Sequence, residues 1–227
     1  VGPALETFLE KPLAALAGKA RVLAMVAVPG VKLLPAQEGG LWEEEGGEHL
    51  HADARIDGHL WLDSGNAQVI VSAMAAALSA VDQVNAPLYR SNAAAMIAKL
   101  EALDGELRAE LDQIKDKAFV VFHDAYQYFE AAYGLRALGS VTVSPERTPG
   151  ARRVVAIKRE IARRGSSCIF AEPQFEPKLV RLLAGDTKTK VGMLDPEGSV
   201  LTSGPDLYFQ LMRNLADGLV GCLSAGP

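Results

Sequence analysis

Two histidines sit where a folded chain could use them chemically. His59 lies in "DGHLWLD" (57–63), a loop running into a helix that Asp63 or Ser64 would cap, and His123 lies in "VVFHDAYQYFE" (120–130), where an apolar run stops and a helix begins. Only four histidines occur in 227 residues. A metal-binding imidazole usually donates its second ring N–H to a carboxylate. Asp57 or Asp63 could orient His59, and Asp124 could orient His123. The competing reading is a core histidine satisfied by backbone, with Asp124 merely capping the helix. Taken singly, each histidine fits that competing reading better.

Three further groups bear on the choice. Asp195 in "GMLDPEG" directly follows an apolar strand, so its carboxylate would emerge on the sheet edge that carries His123; an ordinary Asp-Pro turn explains it equally. Glu172 in "FAEPQF" follows another strand in the same way, as a group supporting a ligand or as a plain loop acid. His49 and His51 in "EHLHA" form an i, i+2 pair within an acidic loop, which suits only weak, exchangeable metal binding. Cys168 opens a strand and Cys222 closes the last helix. They are either two buried thiols or a bridge; a bridge over ~50 residues would contribute roughly 4 kcal/mol and persist only in an oxidising compartment. No Gly-rich phosphate loop, Gly-x-Ser-x-Gly elbow or His-Glu-x-x-His pair occurs.

These residues need a scaffold, and the C-terminal half supplies one. Strands are expected at 118–123, 139–143, 167–171 and 190–194, alternating with helices from Asp124 to a stop at Gly134, then 150–164, 177–184 and 206–222. Strand and helix in alternation predict a parallel sheet covered on both faces. Between Pro87 and Lys117, Met96, Ile97, Leu100, Leu103, Leu107, Leu111 and Ile114 recur at helical spacing. That is a helix of ~40 Å, long enough for a rigid connection between two lobes. Upstream, 4–17 and 64–82 read as helices, 20–28 as a strand, and 38–58 as a mobile loop.

Composition narrows the partners. A net charge of -5 and a pI near 5.5 argue against nucleic acid or an anionic membrane surface. Uninterrupted apolar runs fall far short of the ~20 residues that span a bilayer, so no transmembrane segment is expected. The chain opens on "VGPALETFLEKPL", with neither initiator methionine nor leader, and is expected to be processed or truncated.

"DGHLWLD", "VVFHDAYQYF", "TVSPERTPGARR", "CIFAEPQFEP" and "LDPEG", in this order, resemble the ZnuA-type periplasmic zinc-binding proteins of ABC importers, in the metal-receptor solute-binding cluster. The resemblance covers nearly the whole chain. It implies an α/β fold of two lobes with parallel sheets flanked by helices, joined by one long rigid helix, with metal in the cleft between them. The parts would be 1–84, 85–117 and 118–227. The family's opening strand, helix and further histidine ligand have no counterpart before Val1, so an incomplete first lobe and a lowered affinity are expected.

Carried over by position, the resemblance makes His59, His123 and Asp195 metal ligands, although a water or loop acid can take the carboxylate's place in the ZnuA branch. Asp63, Asp124 and Glu172 would support them. His49 and His51 would belong to an auxiliary loop, and Cys168–Cys222 would be a disulfide in the periplasm. Imidazole-rich sites suit Zn²⁺, whereas a Glu at the position of His123 would favour Mn²⁺. The implied function is zinc capture and delivery to an ABC permease by a monomer that breaks no bond. The alternatives are a metal-dependent hydrolase with Glu172 or Glu197 as base, and a metal-responsive adhesin or sensor.

Overall fold

The computed structural model describes residues 1–2, 5–16, 18, 20–37, 56–142, 150–185 and 189–224. The loop pair His49 and His51 lies outside the described residues. Two compact units are present: one drawn from Val1–Ala36 and His51–Asp104, the other containing Gly105–Pro227.

The second unit is built on strands β1 (Phe119–His123), β2 (Ser140–Thr142), β3 (Cys168–Ala171) and β4 (Lys190–Met193). They are parallel, in the order β2-β1-β3-β4. Every residue of β1, β2 and β3 is buried, as expected when helices cover both faces. The connecting helices are α4 (Gln127–Tyr133), α5 (Ala151–Arg164) and α6 (Lys178–Gly185), and α7 (Leu207–Leu223) closes the unit. Val120, Phe122, Val141, Ile169 and Ala171 pack against Ile157 and Ile161 of α5 and Val180, Leu183 and Ala184 of α6.

On the alternate positions, Phe119 meets Phe170 edge-on with ring centroids 5.9 Å apart. Cys168 is bonded to Cys222 of α7, 54 residues away. Gly192 in β4 has a steric reason to be glycine, because a Cβ there would lie 2.4 Å from the Phe170 ring. The expected stop of α4 is also present: Gly134 takes a left-handed conformation (φ 70°), and its N–H caps the Glu130 carbonyl.

In the first unit, α1 spans Glu10–Leu16 after a 3-10 turn at Thr7–Leu9, with Pro12 tolerated in its first turn. Helix α2 (Ser64–Val81) is, by length and composition alone, long and apolar enough to cross a membrane. Its start is tied into this unit by Ser64, whose hydroxyl donates to Asp104 Oδ1 at 2.6 Å. Helix α3 (Ala86–Leu111) starts in the first unit, passes into the second at Gly105 and continues there as a 3-10 turn over Asp112–Ile114. Leu100, Leu103, Leu107, Leu111 and Ile114 are buried along the predicted stripe.

One expected element does not form. Residues 20–28 are extended backbone and a 3-10 turn at Met25–Ala27, not a strand. A strand needs a neighbour to complete its hydrogen bonds. Here two amides bond within the turn, Ala27 N to Ala24 O and Val28 N to Met25 O, Val26 N makes a single bond to Val1 O, and Val22 and Leu23 are exposed.

Glu130, midway along α4, ties the helix to the segment leading into β2: its carboxylate accepts from Ala137 N at 2.7 Å. Burial is the main cause raising its pKa to about 7; Asp124 raises it further, while the Ala137 N–H and Arg136 oppose the rise. The folded state therefore holds a proton that the unfolded chain has released, and stability falls as pH rises from the ordinary Glu range through about 7. The whole shift would be worth about 3 kcal/mol, but the residue keeps a partly accessible edge, so about 1–2 kcal/mol is expected. Glu130→Gln, which retains an acceptor for Ala137, should match the parent at pH 5 and exceed it by that amount at pH 8 in urea unfolding. Equal pH dependence in both proteins would contradict this assignment.

Candidate metal centre

His123 ends β1, and the sheet register selects its partner. Phe119 lies opposite Cys168, an offset of 49, and the same offset sets His123 beside Glu172. The imidazole Nδ1 is 2.7 Å from each Glu172 oxygen. Both groups are buried, with Glu172 only 2% exposed. Buried Tyr126 donates its hydroxyl to Glu172 Oε1 at 3.1 Å. Its pKa is pushed well above the usual phenol value by burial first, then by the Glu172 charge and hydrogen bond, with smaller contributions from Asp195 and Glu197. Tyr126 is thus a fixed O–H donor, and Asp195 and Glu197 act on the same cluster. Phe175 stands edge-on to the His123 ring at 6.4 Å and stacks on Phe122 at 5.2 Å.

A carboxylate on Nδ1 assigns the proton to that nitrogen and leaves Nε2 as the basic atom that can bind a metal. The neighbouring acid in sequence, Asp124, lines a cavity of about 160 Å³ together with Glu130, Arg136 and Ser140.

Asp195 lies in the turn after β4, where four donors meet its carboxylate. Gln174 Nε2 (2.7 Å) and Glu197 N (3.2 Å) donate to Oδ1; Ser199 Oγ (3.0 Å) and Val200 N (3.2 Å) donate to Oδ2.

In the first unit, His59 repeats the construction found at His123. Its Nδ1 is 2.7 Å from Asp57 Oδ1, and its backbone N–H donates to the same oxygen at 3.0 Å. Asp57 is buried. Asp63 instead caps α2, accepting from Gly65 N at 2.8 Å and Asn66 N at 3.3 Å. Buried Asn66 pins the loop, with Nδ2 donating to the carbonyls of Leu60 (3.1 Å) and Lys32 (3.0 Å) while Oδ1 accepts from Lys32 N (2.7 Å). Leu60 and Leu62 anchor it with no exposed surface, and Trp61 lies 5.3 Å from the His59 ring.

Among the described residues no three His, Cys, Asp or Glu side chains gather in a metal-holding cluster, and His59 and His123 belong to different units. Asp57 stands out in the sequence as a candidate beside Asp63, whereas Tyr126 and Gln174 do not. Nothing in their local sequence marks Tyr126 or Gln174, because both act on residues tens of positions away.

In parallel α/β units ligands bind beyond the carboxyl ends of the strands, which is where His123 and its carboxylate partner lie. Residues 1–222 match the family described as ZnuA, zinc-uptake complex component A, periplasmic. The high-affinity zinc uptake system protein ZnuA of Brucella suis is 44% identical over 251 residues, covering 98% of this chain and 75% of that protein. A crystal structure of ZnuA superposes with a TM-score of 0.80 at 22% identity, over 98% of this chain and 78% of the other, and so shares the fold. A ZnuA deletion mutant with zinc bound gives 0.74 at 25% identity, over 97% and 75%. The chain belongs to the ZnuA family.

Proposed function

We propose that this protein captures zinc in the periplasm and delivers it, as a monomer, to the permease of an ABC importer. His59 and His123 supply imidazole Nε2 ligands, and Asp195 is the carboxylate available to join them. Asp57 and Glu172 orient the two rings. The observation carrying this reading is the 2.7 Å contact from a buried carboxylate to Nδ1 in both histidines, in a chain of this family. Neutral nitrogen donors suit Zn²⁺, and ring orientation fixed in advance lowers the ordering cost of binding. Zinc is cargo here, so the site must bind and release it without chemistry. The family is one of zinc-uptake components, which favours the transport reading over the hydrolase and the adhesin or sensor.

Calorimetric titration of the metal-stripped protein should show one zinc per chain with Kd below about 1 µM, a binding free energy near −8 kcal/mol or stronger. A folded protein that binds no zinc would overturn the proposal.

A further inference from the structure

We propose that Gln174 is a specificity-determining residue of the zinc site: its amide N–H holds the Asp195 carboxylate in the 195–200 turn and limits that oxygen donor's access to the metal. The inference rests on the donor set proposed above. A carboxylate has about four lone-pair sites. Asp195 engages four donors, so a metal must displace one of them. The two backbone N–H groups are fixed by the turn. Of the two side-chain donors, Ser199 is exposed and readily exchanges with water, while Gln174 is part-buried and closer, at 2.7 Å. Gln174 is therefore the donor that decides whether Asp195 is available.

The amide is also held in a costly orientation. Gln174 Oε1 is buried and has no hydrogen-bond partner among the described residues. Turning the amide over would set that oxygen against the carboxylate, so Asp195 dictates the orientation and Oε1 is left unbonded. A residue kept only to fill space would be apolar. Its position ties it to the site: Gln174 lies in the chain between Glu172, which holds Nδ1 of His123, and Phe175, which stands edge-on to that ring. Carboxylate donors favour Mn²⁺ and imidazole favours Zn²⁺, so restraining Asp195 biases the site toward zinc.

The test is competitive titration with Zn²⁺ and Mn²⁺ alone as probes. Gln174→Met keeps side-chain length and removes both the donor and the unbonded oxygen. Mn²⁺ affinity relative to Zn²⁺ should rise about tenfold, the scale of one lost hydrogen bond to a charged group. The rise should vanish in an Asp195→Asn background, which a merely structural role for Gln174 would not produce. Gln174→Leu should repeat the result, guarding against a packing artefact of either side chain. An unchanged metal ratio with zinc still bound, or a rise that persists with Asp195→Asn, overturns the inference while leaving His59 and His123 in place. Loss of the zinc dependence on His59 and His123 would instead overturn the donor set, and this inference with it.

Discussion

His123→Ala is expected to lower zinc affinity by more than about 100-fold, and His59→Ala to do the same. Removing a group that only supports a ligand costs about 10–100-fold, so losing a ligand itself must exceed that range. Each substitution also takes one hydrogen-bond partner from a buried acid: Glu172 keeps the Tyr126 hydroxyl, and Asp57 keeps the backbone N–H of residue 59. Losing one hydrogen bond to a charged group costs about 1.5–3 kcal/mol, so some loss of stability accompanies the loss of binding. Glu172→Gln separates the two effects. It keeps a group that can bond Nδ1 and removes the charge, and it should lower affinity by about 10–100-fold with zinc stoichiometry retained. Titration by calorimetry, with circular dichroism to confirm the fold, reads all three variants. Stoichiometric zinc binding at parental affinity in either alanine variant would remove that histidine from the site.

The second large effect concerns stability. Cys168 is fully buried in β3 and bonded to Cys222 in α7, closing a loop of 54 residues. Restraining the unfolded chain over that separation is worth roughly 4 kcal/mol in the chain-entropy model. The paired substitution Cys168→Ala with Cys222→Ala should therefore lower the unfolding free energy by about that amount and Tm by about 8–16 °C for a chain of this size. Phe170 packing on Gly192 beside Cys222 still holds the sheet there, so a folded variant is expected. A loss below about 1 kcal/mol would mean that the helix docks without help from the bond.

Sequence and structure divided the determination of this site along a physical line. Local pattern determined the strands and helices of the second unit, because burial on both faces demands continuous apolar runs and amphipathic helices demand a 3.6-residue period. Thus β1, the stop at Gly134 and the stripe from Leu100 to Ile114 were legible, as was the place of His123 at a strand's C-terminal end. The ordered motifs around His59, His123, Glu172 and Asp195 likewise sufficed for the family.

Tertiary structure decided which acid serves which histidine. Asp124 is adjacent to His123 in sequence, yet the carboxylate on Nδ1 is Glu172, brought there by a 49-residue register between β1 and β3 that no local pattern encodes. Asp57 and Asp63 were equal candidates for His59 until α2 began at Ser64, whose first-turn N–H groups took Asp63 as their cap. The run at 20–28 has strand-like composition, yet among the described residues it joins no ladder: two of its amides bond within a turn and one makes a lone bond to Val1 O. Spacing determines the local conformation a segment prefers, whereas pairing between distant segments depends on which surfaces the folded chain brings together.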